Sequence, residues 1–115
     1  MARQTEDPMV NREREYMHNF IRAAELERAI RLYLIEERET DPKNEGEEIL
    51  LVFTSMEIDF DGLTTGFFNK TLADMRRAGV IEIRGTSVRI SNLAFVLHQK
   101  MQERAAQKAS AKVGE

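Results

Sequence analysis

The sequence predicts one α+β domain that is mostly helical and carries a short sheet. Residues 11–38 and 93–107 contain neither proline nor glycine and repeat apolar residues at helical spacing. Between them, residues 80–90 alternate apolar and polar side chains around a glycine, a pattern typical of two short strands joined by a tight turn. A chain of 115 residues is long enough to bury one core, but two domains would not fit.

The first helix is predicted to begin at Asn11, a favourable N-cap residue, and to end near Arg38. Residues 1–10 contain Pro8 and lack apolar periodicity, so we expect a flexible tail. The apolar stripe of the helix widens toward its C-terminal end, which indicates burial against more than one neighbour. Either the domain core covers it alone, or a partner subunit covers one side. The stripe comprises Met17, Phe20, Ile21, Ala24, Leu26, Ile30, Tyr33, Leu34 and Ile35.

An acidic connector and a strand are predicted next. Residues 39–48, ETDPKNEGEE, combine turn formers with acids and are typical of a solvated loop. The apolar, β-branched and aromatic run Ile49–Phe53 favours a buried strand. Thr54 and Glu57 have capping-box spacing, so a short helix is expected to begin at Thr54 and to end at Gly62.

A second short helix should follow, capped by Thr64 or Thr65 and ended by Gly79. Residues three and four apart share one side of a helix, so two faces can be assigned. The buried face is Phe68, Thr71, Leu72 and Met75. The opposite face is Gly66, Asn69, Lys70, Ala73 and Arg77.

A hairpin and a last helix complete the predicted domain, which spans residues 11–107. Gly85 is expected to supply the turn, and Glu82 and Arg89 point away from the apolar face of the strands. Ser91 or Asn92 caps the last helix, and residues 108–115 are expected to be a second flexible tail. Met17, Met75 and Met101 are interpreted as adaptable core residues.

Helix, strand, two helices with a tight turn, and hairpin form, in this order, a winged helix-turn-helix, here flanked by a long N-terminal helix and a C-terminal helix. In such an arrangement the second short helix enters the major groove of DNA and the hairpin touches the adjoining backbone. Asn69 and Lys70 are predicted to read base edges, and Gly66 to allow close backbone approach. Thr64 and Thr65 would set the helix N-terminus on a phosphate. The predicted backbone contacts are Arg76, Arg77, Arg84, Thr86 and Arg89.

Charge is distributed unevenly along the chain. The net charge is −3, yet residues 36–61 hold ten acidic and two basic groups, whereas residues 63–90 hold five basic and two acidic groups. Because charges on a surface are largely screened beyond about 10 Å, the local sign governs what a surface attracts. The basic second half is therefore compatible with a nucleic-acid partner. Asp59 and Asp61 count against one, unless their carboxylates cap backbone amides of the turn around Gly62.

The stretch from Thr54 to Ile90, and most clearly TLADMRRAGVIEIRGTSVRIS at residues 71–91, resembles the C-terminal DNA-binding domain of the cyclic-AMP receptor and fumarate–nitrate regulator superfamily. The resemblance covers about a third of the chain and implies a recognition helix followed by a wing. Thr65 and Gly66 stand where the family has arginine and glutamate, and only Lys70 keeps a basic group. The ligand-sensing β-barrel of the family has no counterpart here, so nucleotide sensing is not implied. The matching residues are Leu72, Met75, Gly79, Ile81, Val88 and Ile90.

Other classes of function find little support. The sequence has no phosphate-binding glycine loop, nucleophile elbow or zinc-protease helix, so we expect no enzyme, catalytic residue or cofactor. Without cysteines, and with His18 and His98 far apart, no metal site is predicted. With no apolar run of membrane-spanning length and no signal-peptide pattern, we expect a cytoplasmic protein that does not bind membranes.

The sequence therefore predicts a small transcriptional regulator that binds duplex DNA, in a sequence-specific or a general manner. Because a single recognition helix makes few base contacts, a homodimer is expected, formed through the N-terminal and C-terminal helices. The alternative is a winged-helix protein-interaction module that does not bind DNA. In that case Gly66, Phe67 and the acidic residues of 36–61 would meet a protein partner.

Overall fold

A computed structural model of the chain describes residues 8–43 and 45–113. Most of these residues are helical, and a small antiparallel sheet of three strands accompanies the helices, which confirms the α+β class. The elements are α1 (Pro8–Thr40), β1 (Glu47–Glu48), α2 (Ile49–Asp59), α3 (Thr65–Arg77), β2 (Ile81–Arg84), β3 (Ser87–Ile90) and α4 (Asn92–Val113).

The sheet has the strand order β1-β3-β2, with both pairings antiparallel. Ile81 pairs with Ile90 and Arg84 with Ser87 in the β2–β3 hairpin, while Glu47 pairs with Val88. Gly46 precedes β1 with a φ of 143°, and a Cβ there would lie 3.1 Å from the carbonyl oxygen of Val88. The acidic connector therefore needs glycine at this position for its last residues to join the sheet.

The predicted hairpin is confirmed. Its two-residue turn has Gly85 at a φ of 61°, and Thr86 does not have a positive φ. A positive φ at the first central residue only is the geometry of a type II′ turn, which matches the twist of the flanking strands. Glycine at position 85 is thus what allows the chain to reverse within two residues.

The core lies where the C-terminal half of α1, α2 and α3 pack against the sheet. Leu26, Ile30 and Val88 have no exposed surface, and Phe68 is 1% exposed. The Phe68 ring meets that of Phe53 edge-on, with centroids 5.2 Å apart. The core also contains Leu34, Ile35, Val52, Met56, Leu63, Leu72, Met75, Ile81 and Ile90.

The predicted strand at Ile49–Phe53 is wrong, because these residues form the first turns of α2. A short apolar run does not by itself distinguish a strand from a buried helix. Here the run continues to Met56 at helical spacing, and Val52 and Met56 are both buried. The predicted N-cap at Thr54 is wrong for the same reason, since its Oγ1 donates to the Leu50 carbonyl oxygen at 2.8 Å, inside the helix.

The predicted caps of the later helices are confirmed. The backbone N–H of Phe67 donates to Thr64 Oγ1 at 3.1 Å, and that of Ala94 donates to Ser91 Oγ at 3.1 Å. Beyond α3, Gly79 has a φ of 78°, and Val80 N–H donates to the Met75 carbonyl oxygen at 3.0 Å. This is a glycine-terminated Schellman arrangement, which fixes where α3 ends and β2 begins.

The long helices extend further than predicted. Helix α1 begins at Pro8 rather than at Asn11, and α4 continues past Gln107 to Val113. Proline is tolerated in the first turn of a helix because its missing N–H would have no partner there. Residues 8–10 and 108–113 are therefore helical, and the remaining residues of both predicted tails lie outside the described part of the chain.

Two of the three methionines interpreted as core residues lie at the surface. Met75 is 2% exposed, but Met17 and Met101 are 55% and 67% exposed. Both belong to parts of α1 and α4 that extend beyond the core. Within the described residues, no helix combines the length and apolarity needed to span a bilayer.

Candidate nucleic-acid interface

Helix α3 presents a polar face to solvent on the side away from the core. The predicted buried face is confirmed, with Phe68, Thr71, Leu72 and Met75 at most 6% exposed. The predicted outer residues are all exposed, as are Thr64 and Thr65 at the N-terminus. A Cβ added at Gly66 would have no neighbour within 4 Å, so the backbone is bare on the first turn of this face.

A groove runs between the outer side of α3 and the hairpin. Asn69, Arg76 and Arg77 line it together. Its remaining lining residues are Ile49, Leu72, Ala73 and Ile83. The groove therefore brings three of the predicted DNA-binding residues to one surface, with an apolar floor between them. Arg84 and Thr86 are exposed at the end of β2 and in the hairpin turn.

The predicted cationic side chains differ in whether a neighbouring carboxylate already forms an ion pair with them. Arg77 Nη1 lies 3.4 Å from Asp74 Oδ1, one helical turn earlier, and Arg89 Nε lies 3.3 Å from Glu82 Oε2 across the hairpin. Lys70, Arg76 and Arg84 form no ion pair with any residue that the structure describes. Among the predicted cations of α3 and the hairpin, these three residues therefore carry the charge that no ion pair neutralises.

Arg89 is the predicted site residue that the structure does not bring to the groove. Its guanidinium is partly buried and lines a small cavity beside α1, together with Glu37, Arg38 and Glu47. The strand alternation that pairs it with Glu82 also directs it away from α3. The sequence placed Arg84 and Arg89 together because both belong to the hairpin, but of the two only Arg84, at the end of β2, is exposed.

Arg22 holds the turn before α3, a role that the sequence did not indicate. Its Nη2 donates to the Asp61 carbonyl oxygen at 2.6 Å. Its guanidinium lies 4.9 Å from the ring centroid of Phe60 and 5.7 Å from that of Phe67, and these two rings stack on each other. Phe67 is therefore packed against Phe60 and Arg22, and α1 anchors the N-terminal end of α3. No sequence motif marks Arg22 among the many charges of α1.

The turn between α2 and α3 has a negative edge. Asp59 and Asp61 are exposed, and their carboxylates make no hydrogen bond or ion pair within the described residues. The expected capping of the turn amides by these carboxylates is therefore wrong. Gly62 provides the turn itself, with a φ of 73°.

A pair of carboxyl groups joins α1 to β1. Glu37 forms a side-chain hydrogen bond with Glu47, and that bond, together with partial burial and the charge of Glu47, raises the pKa of Glu37 above its ordinary value. Two carboxyl oxygens form such a bond only when they share a proton. This pair belongs to the small cavity beside Arg89 and lies apart from the groove along α3.

Among the described residues, no cluster of three histidine, aspartate or glutamate side chains has the arrangement needed to hold a metal ion. Comparison of the chain with protein-family models, with curated proteins and with solved structures finds no match.

Proposed function

We propose that this chain is a winged-helix protein that binds duplex DNA through α3 and the β2–β3 hairpin, as a small cytoplasmic transcriptional regulator. The observation that carries the proposal is the outer face of α3, where Asn69, Lys70 and Arg76 stand free beside an exposed hairpin that carries Arg84. Amide and cationic side chains are the groups that read base edges and neutralise phosphates.

The order of the elements supports a winged-helix assignment. A helix and a short strand precede two helices joined by a tight turn, and a hairpin follows them. The strand β1 comes just before α2 and pairs with β3, so the hairpin is part of a three-stranded sheet rather than an isolated pair. In DNA-binding proteins of this arrangement, the second of the two helices lies in the major groove.

The chemistry of this face predicts binding that depends strongly on salt. Each phosphate that a lysine or arginine neutralises releases counterions, so affinity falls steeply as salt rises. Few base contacts are available from one copy of α3, which limits discrimination between sequences. A single copy should therefore bind duplexes of many sequences, and two copies are needed for a specific site.

A second candidate function is that of a protein-interaction module. Helix α2 favours the protein-interaction module, because one side of this helix carries three exposed apolar residues. These are Leu50, Leu51 and Ile58, which are 65%, 51% and 84% exposed. Acids of the α2–α3 turn border this patch and would repel phosphates. An apolar patch with an acidic rim suits a protein surface better than a nucleic acid.

Fluorescence anisotropy of a labelled random-sequence duplex separates the two candidates. DNA binding predicts saturable binding at low salt that is lost as salt rises, with similar affinity for unrelated sequences. Indifference to DNA at low salt would reject the proposal and favour the protein-interaction module.

A further inference from the structure

Long parts of α1 and α4 extend outside the core, and no other described residue of the chain covers them. Every residue from 10 to 21 is exposed, and so is every residue from 96 to 109 except half-buried His98. The radius of gyration is 18.5 Å, whereas about 13 Å is typical of a compact domain of 100 residues. Helix segments that project from the core in this way contribute to the larger radius.

Both segments carry apolar side chains that would normally be buried. On α1, Tyr16, Met17, Phe20 and Ile21 are 51–69% exposed, and on α4, Leu93, Val96, Leu97 and Met101 are 43–67% exposed. Helix stability in proteins comes mostly from packing an apolar face against other elements rather than from helix propensity. Apolar stripes of this extent therefore need a partner surface.

The area matches what a dimer requires. Together the exposed parts of these side chains offer on the order of 800 Å² of apolar surface, about what each partner buries in a standard protein interface. The surface continues from Phe20 into a shallow groove between α1 and the end of α3, with Ala23, Ala24 and Ala78 in its lining. Small residues of this kind let another helix approach closely.

The charges beside the stripes favour α1 as the surface that receives α4. Along α1, Arg12, Glu13, Arg14 and Glu15 alternate in sign, so this surface attracts neither an anionic membrane nor DNA. On α4, Lys100, Arg104 and Lys108 follow the apolar residues at four-residue spacing. Parallel pairing of α4 with a second α4 would place these like charges together, whereas α1 has mixed charges, with Glu13 and Glu15 beside Arg12 and Arg14.

We propose that two copies of this chain form a dimer in which α4 of each copy packs on residues 10–24 of α1 of the other copy. The arrangement is two-fold symmetric, so the α1 stripe of each copy is covered by α4 of the other copy, and both apolar stripes of each chain are buried. This inference goes beyond DNA binding and does not depend on it: the chain can dimerise whether or not α3 meets DNA.

Sedimentation equilibrium tests the dimer directly. We expect the wild-type protein at tens of micromolar to have twice the chain mass of 13.3 kDa. Ile21→Glu and Leu97→Glu should each give monomers, because a carboxylate would be buried at the interface. Leu32→Glu, at a 40% exposed site on α1 outside residues 10–24, is the matched control and should stay dimeric. A monomeric wild-type protein, or dissociation by the control alone, would overturn the proposal.

Cross-linking tests whether α4 of one copy contacts α1 of the other. Single cysteines can be introduced for this purpose because the chain has no cysteine of its own. Phe20→Cys and Leu97→Cys chains, made with tags of different mass, are mixed and treated with a short bismaleimide. The proposal predicts a mixed cross-linked product and little product from either chain alone. Cross-linking of each chain only to itself would reject the pairing of α1 with α4. A dimer that fails to bind DNA would leave this inference intact and reject the proposed function.

Discussion

Arg89 and Glu82 face each other across the β2–β3 hairpin, with Arg89 Nε 3.3 Å from Glu82 Oε2. The Arg89 Nε–H is buried and has no hydrogen bond, so the contact is an ion pair without good hydrogen-bond geometry. The pair neutralises one of the two arginines that the sequence assigned to the wing. It leaves Arg84 as the free cation of the hairpin.

Removing the carboxylate of this pair should strengthen DNA binding. In Glu82→Gln one negative charge leaves the hairpin that carries Arg84, so the affinity for any duplex should rise by up to about twofold, while the salt slope should stay near the wild-type value because Arg89 faces away from the α3 groove. Anisotropy titrations over a range of salt measure both. Glu39→Gln removes the same charge from an exposed site at the end of α1 and should have a smaller effect. An equal gain in both variants would mean that only net charge matters.

Thr64 should stabilise the domain as the N-cap of α3, and Thr54 should not. Thr64→Ala removes the acceptor for the Phe67 N–H and should lower the free energy of unfolding by about 1 kcal/mol, whereas Thr64→Ser should keep most of it. In Thr54→Ala the mutated residue lies inside α2, where alanine is the better helix former, so stability should stay within about 0.5 kcal/mol.

Urea denaturation at one fixed protein concentration measures these differences, because a dimer links stability to concentration. A larger loss in Thr54→Ala than in Thr64→Ala would contradict the observed start of α2.

Phe68 should dominate the core between α2, α3 and the sheet. It is 1% exposed, and Phe68→Ala should cost about 3–5 kcal/mol, since a large cavity remains when a buried ring is removed. This is a large part of the stability of an ordinary small domain, so thermal unfolding should show a much lower midpoint. Ile58→Ala, at an 84% exposed position, should change the free energy of unfolding by no more than about 0.5 kcal/mol. Similar losses of stability in Phe68→Ala and Ile58→Ala would contradict the burial of Phe68 in the core.

Glu37 should make stability depend on pH. Its pKa is raised in the folded protein by the hydrogen bond to Glu47, so the folded state holds a proton that the unfolded state releases. The contribution is complete below the ordinary pKa of a glutamate and is lost as pH rises through the raised value. In Glu37→Gln the side-chain amide N–H can donate to the Glu47 carboxylate at any pH. The free energy of unfolding of this variant should therefore fall less with rising pH than that of the wild-type protein.

Urea midpoints measured at several pH values in the mildly acidic range give this slope. Glu39→Gln, which removes a charge from the same end of α1 but no partner of Glu47, is the control. An unchanged slope in Glu37→Gln would show that the pair does not share a proton.

Much of the fold was predictable because its signals are local. The caps of α3 and α4, the glycine that ends α3 and the turn at Gly85 each depend on a few adjacent residues, and all four predictions are confirmed. The two faces of α3 follow from helical periodicity alone. The prediction failed at Ile49–Phe53, where a short apolar run suits a strand or a buried helix, and the strand lies two residues earlier, in the acidic connector.

The candidate site was predictable only in part. Sequence spacing placed Asn69, Arg76 and Arg77 on or near the outer side of α3, where they line one groove. It gave no indication that Arg22 stacks on Phe60 and Phe67, because that contact joins residues about 40 positions apart in the chain. Nor did it separate Arg84 from Arg89, since their different surroundings depend on how the hairpin packs against α1.

We propose that the free cations of α3 and the hairpin form one surface for duplex DNA. The most direct test of this proposal is the salt dependence of random-duplex affinity for the wild-type protein, for Arg76→Ala/Arg84→Ala and for the control Lys43→Ala, which removes an exposed charge in the connector. We expect the double variant to bind all duplexes more weakly, with a salt slope smaller by about two, and the control to keep the wild-type slope. A double variant with unchanged affinity and slope would contradict it.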